Sequence, residues 1–310
     1  MKDKKFSYCK IPINSPICLA PMVGYTNKAF RVLCKEQGAG FTFTEMTHGT
    51  ALINNKEIKK EIIPSKEERP CGVQLVGENE KEFLQALELV EKEFDLIDLN
   101  FGCPANKILG SKRGAAHLKN LKKMKEIINA VCGATKKPVT FKTRIGFDKT
   151  ETKKITELAN STNAKSWTLH GRTAKQGYTG KANWQEIKKA FELSEIPLTG
   201  NGDIESAKQG IKLIEQRFCN YAMIGRKAIG NPQVFDLNFL NLSEEEKENK
   251  RKELLKRFLF LSKKFNCDFN ETKLNAMWFF KGNYGAGKIR ERISKSKEID
   301  ELKEIIKLMK

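Results

Sequence analysis

Residues 139–171 read VTFKTRIGFDKTETKKITELANSTNAKSWTLHG. A short run, Val139 to Ile145, is followed by a polar turn, a helical segment from Thr152 to Asn160, and a second short run, Ser166 to Gly171. Two strands joined through a helix make a βαβ unit, whose strands lie parallel in one sheet. The same alternation extends outward from residue 17 to 232. Six more strands are expected at Ile17 to Met22, Thr42 to Met46, Gly72 to Val76, Leu96 to Phe101, Ile196 to Gly200 and Tyr221 to Gly225. Helices are expected at Asn27 to Gln37, Glu80 to Glu93, Lys122 to Cys132, Trp184 to Leu193 and Glu205 to Gln216; in the second of these Phe83, Leu84, Leu87 and Val90 form a stripe at helical spacing. Eight strands with helices between them predict an α/β protein of the closed (β/α)8 TIM-barrel type. The alternative, a doubly wound open sheet, normally carries a G-x-G-x-x-G turn after its first strand; here that turn reads Ala20-Pro21-Met22-Val23-Gly24.

The pattern changes after Pro232. Residues 242–310 hold 18 Lys plus Arg against 12 Asp plus Glu and no strand-like run. Ser243 and Glu246 form a capping box ahead of a helix whose apolar face is Leu254, Phe258, Leu261 and Phe265. A second helix is expected through Leu274 to Phe280, and a last one through Ile299, Leu302, Ile305, Ile306 and Met309. The expected division is a barrel over 1–241 and a small helical bundle over 242–310.

At 310 residues the chain buries about three quarters of its unfolded surface, so its core needs no disulfide or metal. No run reaches the roughly 18 apolar residues of a membrane helix, and Met1 to Lys10 lacks an apolar stretch of signal-peptide length, so a cytoplasmic protein is expected; a monomer is expected too, though no residue pattern decides the oligomeric state. The eight cysteines contain no C-x-x-C pair, only His48, His117 and His170 accompany them, and no metal is expected. The net charge of +19 suits a polyanion such as RNA, DNA or an anionic membrane surface, and equally suits a lysine-rich solvated surface.

A barrel places its site where strands end. Asp98 with Asn100, and Lys142 with Arg144, stand two apart on their strands and can both point inward; Cys103 follows the first pair, and His170-Gly171-Arg172 ends the sixth strand. Buried charges gathered at one rim fit either a site for an anionic cofactor or an internal salt-bridge layer of Asp98 with Lys142 or Arg144. The last two strands end in Gly200-Asn201-Gly202-Asp203 and Gly225-Arg226, the corner where barrels often hold a phosphate.

Together these residues resemble the tRNA-dihydrouridine synthases. The matches are Leu19-Ala20-Pro21-Met22 with Gly24 and Thr26; Val73-Gln74-Leu75 with Gly77; Asp98-x-Asn100-x-Gly102-Cys103-Pro104 with Lys107; Lys142-x-Arg144-x-Gly146; His170-Gly171-Arg172-Thr173; Gln176-x-Tyr178-x-Gly180 with Trp184; Gly200-Asn201-Gly202-Asp203; and Met223-Ile224-Gly225-Arg226. The resemblance runs in order over nearly the whole barrel. It implies an FMN-dependent oxidoreductase that reduces the C5–C6 double bond of uridines in tRNA with NADPH or NADH. It further implies that Pro21, Met22 and Val23 line the flavin ring, that Gln74 hydrogen-bonds it, and that Lys142 sits at its N1–O2 edge with His170 nearby. Asn201, Gly202, Asp203, Gly225 and Arg226 would hold the phosphate, and Asn100, Arg144 and Arg172 would meet the substrate. Cys103 would be the proton donor: an ordinary thiol, with a pKa of about 8.5, stays mostly protonated at neutral pH yet can release its proton in the transition state.

The structural reading is kept for Glu45, Arg113 and His117, and the Gly- and Lys-rich stretch from Lys107 to Ala116 reads as a substrate-gripping or a flexible surface loop. His117 and Lys227 depart from the family pattern, which puts local loop shape in doubt. A uridine in folded RNA must be extruded to react, and Lys256, Arg257, Lys263, Lys288, Arg290 and Arg292 of the basic tail are the candidates to hold the surrounding phosphates. Two rival readings remain at this level: a flavin enzyme acting on a free pyrimidine, similar to dihydroorotate dehydrogenase, and an RNA-binding module without chemistry.

Overall fold

The computed structural model describes residues 5–54, 61–280 and 286–307. Its centre is a parallel sheet of eight strands: β3 (Ile17–Leu19), β4 (Thr42–Thr47), β5 (Cys71–Leu75), β6 (Leu96–Phe101), β7 (Val139–Arg144), β8 (Ser166–His170), β9 (Leu198–Asn201) and β10 (Tyr221–Ile224). The ladder runs from β4 in sequence order to β10 and on to β3, and the seam is joined by a bridge between Cys18 and Phe41 with a bond from Leu19 N–H to the Phe41 carbonyl at 2.9 Å. The sheet is therefore a barrel, and all eight expected strands are in it. Their ends shift where proline intervenes: β3 leaves the ladder before Pro21 and β9 enters it after Pro197, since proline has no N–H to donate.

Helices α1 (Lys28–Glu36), α2 (Gly49–Asn54), α3 (Glu80–Val90), α4 (Asn106–Gly110), α5 (Leu121–Ala134), α6 (Thr152–Asn160), α7 (Trp184–Leu193) and α8 (Ala207–Glu215) fill the connections. Side chains alternate along each strand, so Phe141 and Trp167 stack outside under the helices, at 5.8 Å between ring centres, while Thr140 and Lys142 lie on the opposite face.

The lower interior is closed by a hairpin that the sequence pattern did not suggest, β1 (Phe6–Tyr8) paired with β2 (Ile11–Ile13). It drives fully buried Tyr8 against Phe41, Phe43 and Tyr221, with its hydroxyl 3.5 Å from Thr199 Oγ1.

Beyond the barrel the described residues form four helices: α9 (Glu244–Lys264), α10 (Phe269–Trp278), α11 (Ala286–Lys295) and α12 (Ile299–Lys307). The Ser243–Glu246 capping box opens α9 as expected; α11 was not expected, and Met309 falls outside the described residues. Leu254, Phe258 and Leu261 of α9 join Phe30 and Leu33 of α1 and Ile224 of β10 in one apolar cluster, so bundle and barrel share a core. Among the described residues no helix is long and apolar enough to cross a membrane.

Candidate active site

Register carries the site from strand to strand. Gln74 pairs with Asp98, Asn100 with Lys142, Arg144 with His170, and His170 with Asn201, so the expected residues occupy neighbouring rungs around the mouth. The salt-bridge layer considered for Asp98 does not form. Its carboxylate, 2 % exposed, accepts from Thr140 Oγ1 and from Gln74 Nε2, each at 2.7 Å. Burial pushes Asp98 up to about 6, against the pull of those two hydrogen bonds and of Lys142.

Lys142 is partly buried and makes no hydrogen bond or ion pair with any described residue. Burial, and then the charge of Arg144, bring it down to about 8, which leaves it mostly protonated at neutral pH. Arg144 donates from Nε to the Gly102 carbonyl and from Nη1 to the Thr173 and Gly177 carbonyls, tying the Cys103 turn to the loop after β8. Arg172 departs from expectation. All three of its guanidinium nitrogens are engaged inside the protein, with the Thr179 and Gly180 carbonyls, His170 and Asp203, and only 2 % of the residue is exposed. It ties the loop after β8 to Asp203 and presents no free edge to a substrate.

Arg172 Nη1 lies 3.3 Å from His170 Nε2; a guanidinium only donates, so that imidazole nitrogen accepts and the proton sits on Nδ1. Burial first, then Lys142 and the neighbouring arginines, hold His170 well below its ordinary range, and the ring is neutral. Asp203 accepts from Arg172, Arg226 and the Ala182 N–H and is held below the usual carboxylate range by them. Asn201 donates to the Met223 carbonyl, joining β9 to β10. The backbone N–H groups of Gly202, Asp203, Gly225 and Arg226 take part in no hydrogen bond to the described backbone. Four free amides beside Arg226 suit a phosphate, and the lone Lys142 suits an anionic ring edge. Val23, 56 % exposed, with half-buried Pro21 and Met22 offers an apolar wall on the first strand's side. The donor set fits a flavin phosphate.

Cys103 is half-buried at the end of β6. Its N–H and that of Gly102 both donate to Asn100 Oδ1, at 2.9 and 3.1 Å, and its carbonyl accepts from Ala115 N–H at 3.0 Å. The stretch read as a loop from Lys107 is instead α4 and a 3-10 turn from Gly114 to Lys119, folded back onto the Cys103 turn. Elsewhere burial pushes Cys9, Cys71 and Cys219 up to about 12 and Cys132 to about 11, which leaves them inert thiols.

The fold and the mouth now stand beside known proteins. The profile of the family described as Dihydrouridine synthase (Dus) matches residues 18–306. The chain belongs to the dihydrouridine synthase family. It is 37 % identical over 224 residues to a probable tRNA-dihydrouridine synthase of Aquifex aeolicus, covering 71 % of each chain, and 36 % identical over 223 residues to tRNA-dihydrouridine synthase B of Pseudomonas aeruginosa, covering 71 % of this chain and 67 % of that one. Among solved structures it is similar to histamine dehydrogenase from Rhizobium sp. 4-9, with a TM-score of 0.59 at 13 % identity, over 84 % of this chain and 51 % of that one. That likeness shows the shared barrel.

Three further residues shape the dihydrouridine synthase mouth: Glu45, which keeps its structural reading, and Asn275 and Gly114, which the sequence analysis did not single out. Glu45 Oε2 accepts from Gly24 N–H at 3.0 Å and so holds the Met22–Thr26 turn; burial and the facing Glu271 push it up to about 7. Asn275 of α10 reaches the same turn, donating to the Tyr25 carbonyl at 3.3 Å. Gly114 has φ +57, and a Cβ there would stand 2.8 Å from the Cys103 carbonyl oxygen. Asn275 and Gly114 carry no sequence signal, because each acts through a contact made only in the fold. His117 keeps its structural reading, 3.0 Å from the Gly77 carbonyl and edge-on to Phe101, as does Arg113, paired with Glu82 at 2.8 Å.

Proposed function

We propose that this protein is a tRNA-dihydrouridine synthase that reduces the C5–C6 bond of uridine in tRNA, with FMN as cofactor and NADPH or NADH as reductant. The observation that carries the reading is the mouth itself: free backbone amides beside Arg226 for a phosphate, unpaired Lys142, and Cys103 on a turn anchored by Asn100. Bound at this mouth, reduced flavin supplies a hydride for C6 of the base. The remaining steps belong to the chain. Lys142 balances negative charge at the ring edge, and a methionine there could not. Gln74 and His170 offer N–H donors to the ring, and Asn100 orients the uracil. Cys103 Sγ gives its proton to C5 and is returned to the thiol by solvent.

The substrate must leave its stack to reach this mouth, at about a few kcal/mol, offset by contacts to its flanking phosphates. Arg257 and Lys263 are paired with Glu36 and Asp300, whereas Lys256, Lys288, Arg290 and Arg292 are exposed without an ion pair among the described residues. These four are the proposed phosphate contacts.

The test is direct. The purified chain, supplied with FMN and NADPH, is incubated with tRNA free of dihydrouridine, and the nucleosides are weighed. A gain of two hydrogens at specific uridines is expected. Faster NADPH oxidation with free uracil or orotate than with tRNA would install the free-pyrimidine reading instead. A chain that takes up no flavin would leave an RNA-binding module.

A further inference from the structure

Four polar side chains in the barrel form one continuous hydrogen-bonded line, and its direction is fixed at one end. The N–H groups of Gly102 and Cys103 can only donate, so the Asn100 atom facing them is Oδ1. Asn100 Nδ2 then faces Gln74 and donates to Oε1 at 2.8 Å. Gln74 Nε2 therefore faces inward, and the group beyond it has to accept. Asp98 fills that place, bonded to Gln74 at 2.7 Å and closed on its far side by the Thr140 hydroxyl at 2.7 Å. The four side chains are buried, so no water substitutes for a missing partner without rearrangement.

We propose that Asp98 is a positioning residue whose carboxylate sets which way round the Gln74 amide lies and, through Asn100, holds the turn that carries Cys103. One buried acceptor thus orients both the donor offered to the cofactor and the thiol offered to the base. Each amide nitrogen in the line keeps a second N–H beyond the bond that orients it. With the inward acceptor removed, nothing holds Gln74 Nε2 inward: the amide is free to turn over, Asn100 Nδ2 then faces a nitrogen in place of its acceptor, and the Cys103 turn loosens. The inference rests on the functional reading for what Gln74 and Cys103 do, but its central contact is tested without it.

Three chains are compared with wild type: Asp98→Leu, which keeps volume and removes the acceptor; Gln74→Glu, which sets two carboxylates against each other; and Asp98→Asn combined with Gln74→Glu, which restores a donor–acceptor pair with the two types exchanged. The readout is the rate at which iodoacetamide alkylates Cys103, followed on its own peptide by mass. Asp98→Leu and Gln74→Glu are each expected to raise that rate about threefold or more, and the double variant to return it to within about twofold of wild type. FMN affinity, measured by quenching of flavin fluorescence, falls about tenfold in the double variant, because its position 74 no longer donates.

For tRNA reduction, Asp98→Leu lowers kcat about tenfold or more while KM for tRNA stays within about twofold. An unchanged alkylation rate in folded Asp98→Leu, or a double variant no closer to wild type than Gln74→Glu, overturns the proposal. If Asp98→Leu does not fold, the comparison at position 74 decides by itself. Wild-type chain that makes no dihydrouridine would sink the functional reading and leave the alkylation comparison intact.

Discussion

Cys103 draws its meaning from what surrounds it. The chain has eight cysteines, and residue type alone gives none of them a role. What sets Cys103 apart is the strand end, the Asn100 anchor and the unpaired Lys142 on the adjoining rung, all of which follow from period-two alternation and register. Cys103→Ala is expected to bind FMN and tRNA as wild type does and to lose about a hundredfold or more of uridine reduction; near-normal turnover in single-turnover assays would remove the thiol from the proton step.

Glu45 shows the opposite case, a residue whose importance needs the fold. Its carboxyl is moved from 4.5 to about 7, so between those values the folded chain holds more protons than the unfolded one, and stability falls as pH rises through the window. Glu271 and Arg31 face it, and Gly24 N–H bonds it. Wild type is expected to lose a few degrees more in Tm between about pH 5 and pH 8 than Glu45→Gln does; equal losses would show that Glu45 titrates normally. Asp98 is also raised, but it is present in both chains and cancels from the difference.

At the scale of elements, loops are where sequence reading stopped. The eight barrel strands and six of the barrel helices announced themselves by period, whereas the β1–β2 hairpin and α2 did not, and the stretch after Cys103 looked only Gly- and Lys-rich; its packing onto the Cys103 carbonyl depends on a residue with no side chain at all. Gly114→Ala introduces both a positive-φ penalty and a clash at 2.8 Å, so a destabilisation of roughly 1–3 kcal/mol is expected, together with a displaced Cys103 turn. Denaturant melts together with Cys103 alkylation rates would read the two effects separately, and a melt unchanged from wild type would show that the turn yields freely.

The Met22–Thr26 turn is similarly held from outside its own strand, by Glu45 of β4 and by Asn275 of α10. Tyr25 rests edge-on against Trp278 of the same helix. Asn275→Ala should therefore weaken FMN affinity about threefold or more although it belongs to the bundle, an effect invisible in any reading that treats the bundle as an RNA clamp alone. Unaltered flavin binding would restrict α10 to packing.

For the whole molecule, the charge of +19 left a polyanionic partner and a lysine-rich solvated surface equally open, and the proposed function places that partner on the exposed basic side chains of the bundle. Replacing Lys256, Lys288, Arg290 and Arg292 together by alanine should reduce the slope of log affinity for tRNA against log salt by about three. A slope that does not move would shift the phosphate contacts to the barrel.

The joint between bundle and barrel also sets the order in which this protein can be completed during synthesis. Phe30 and Glu36 lie on the first barrel helix, and their partners, Phe258 and Arg257, are encoded more than two hundred residues later. At roughly 10 residues per second, the apolar flank of that helix waits about twenty seconds before its native cover has been synthesised.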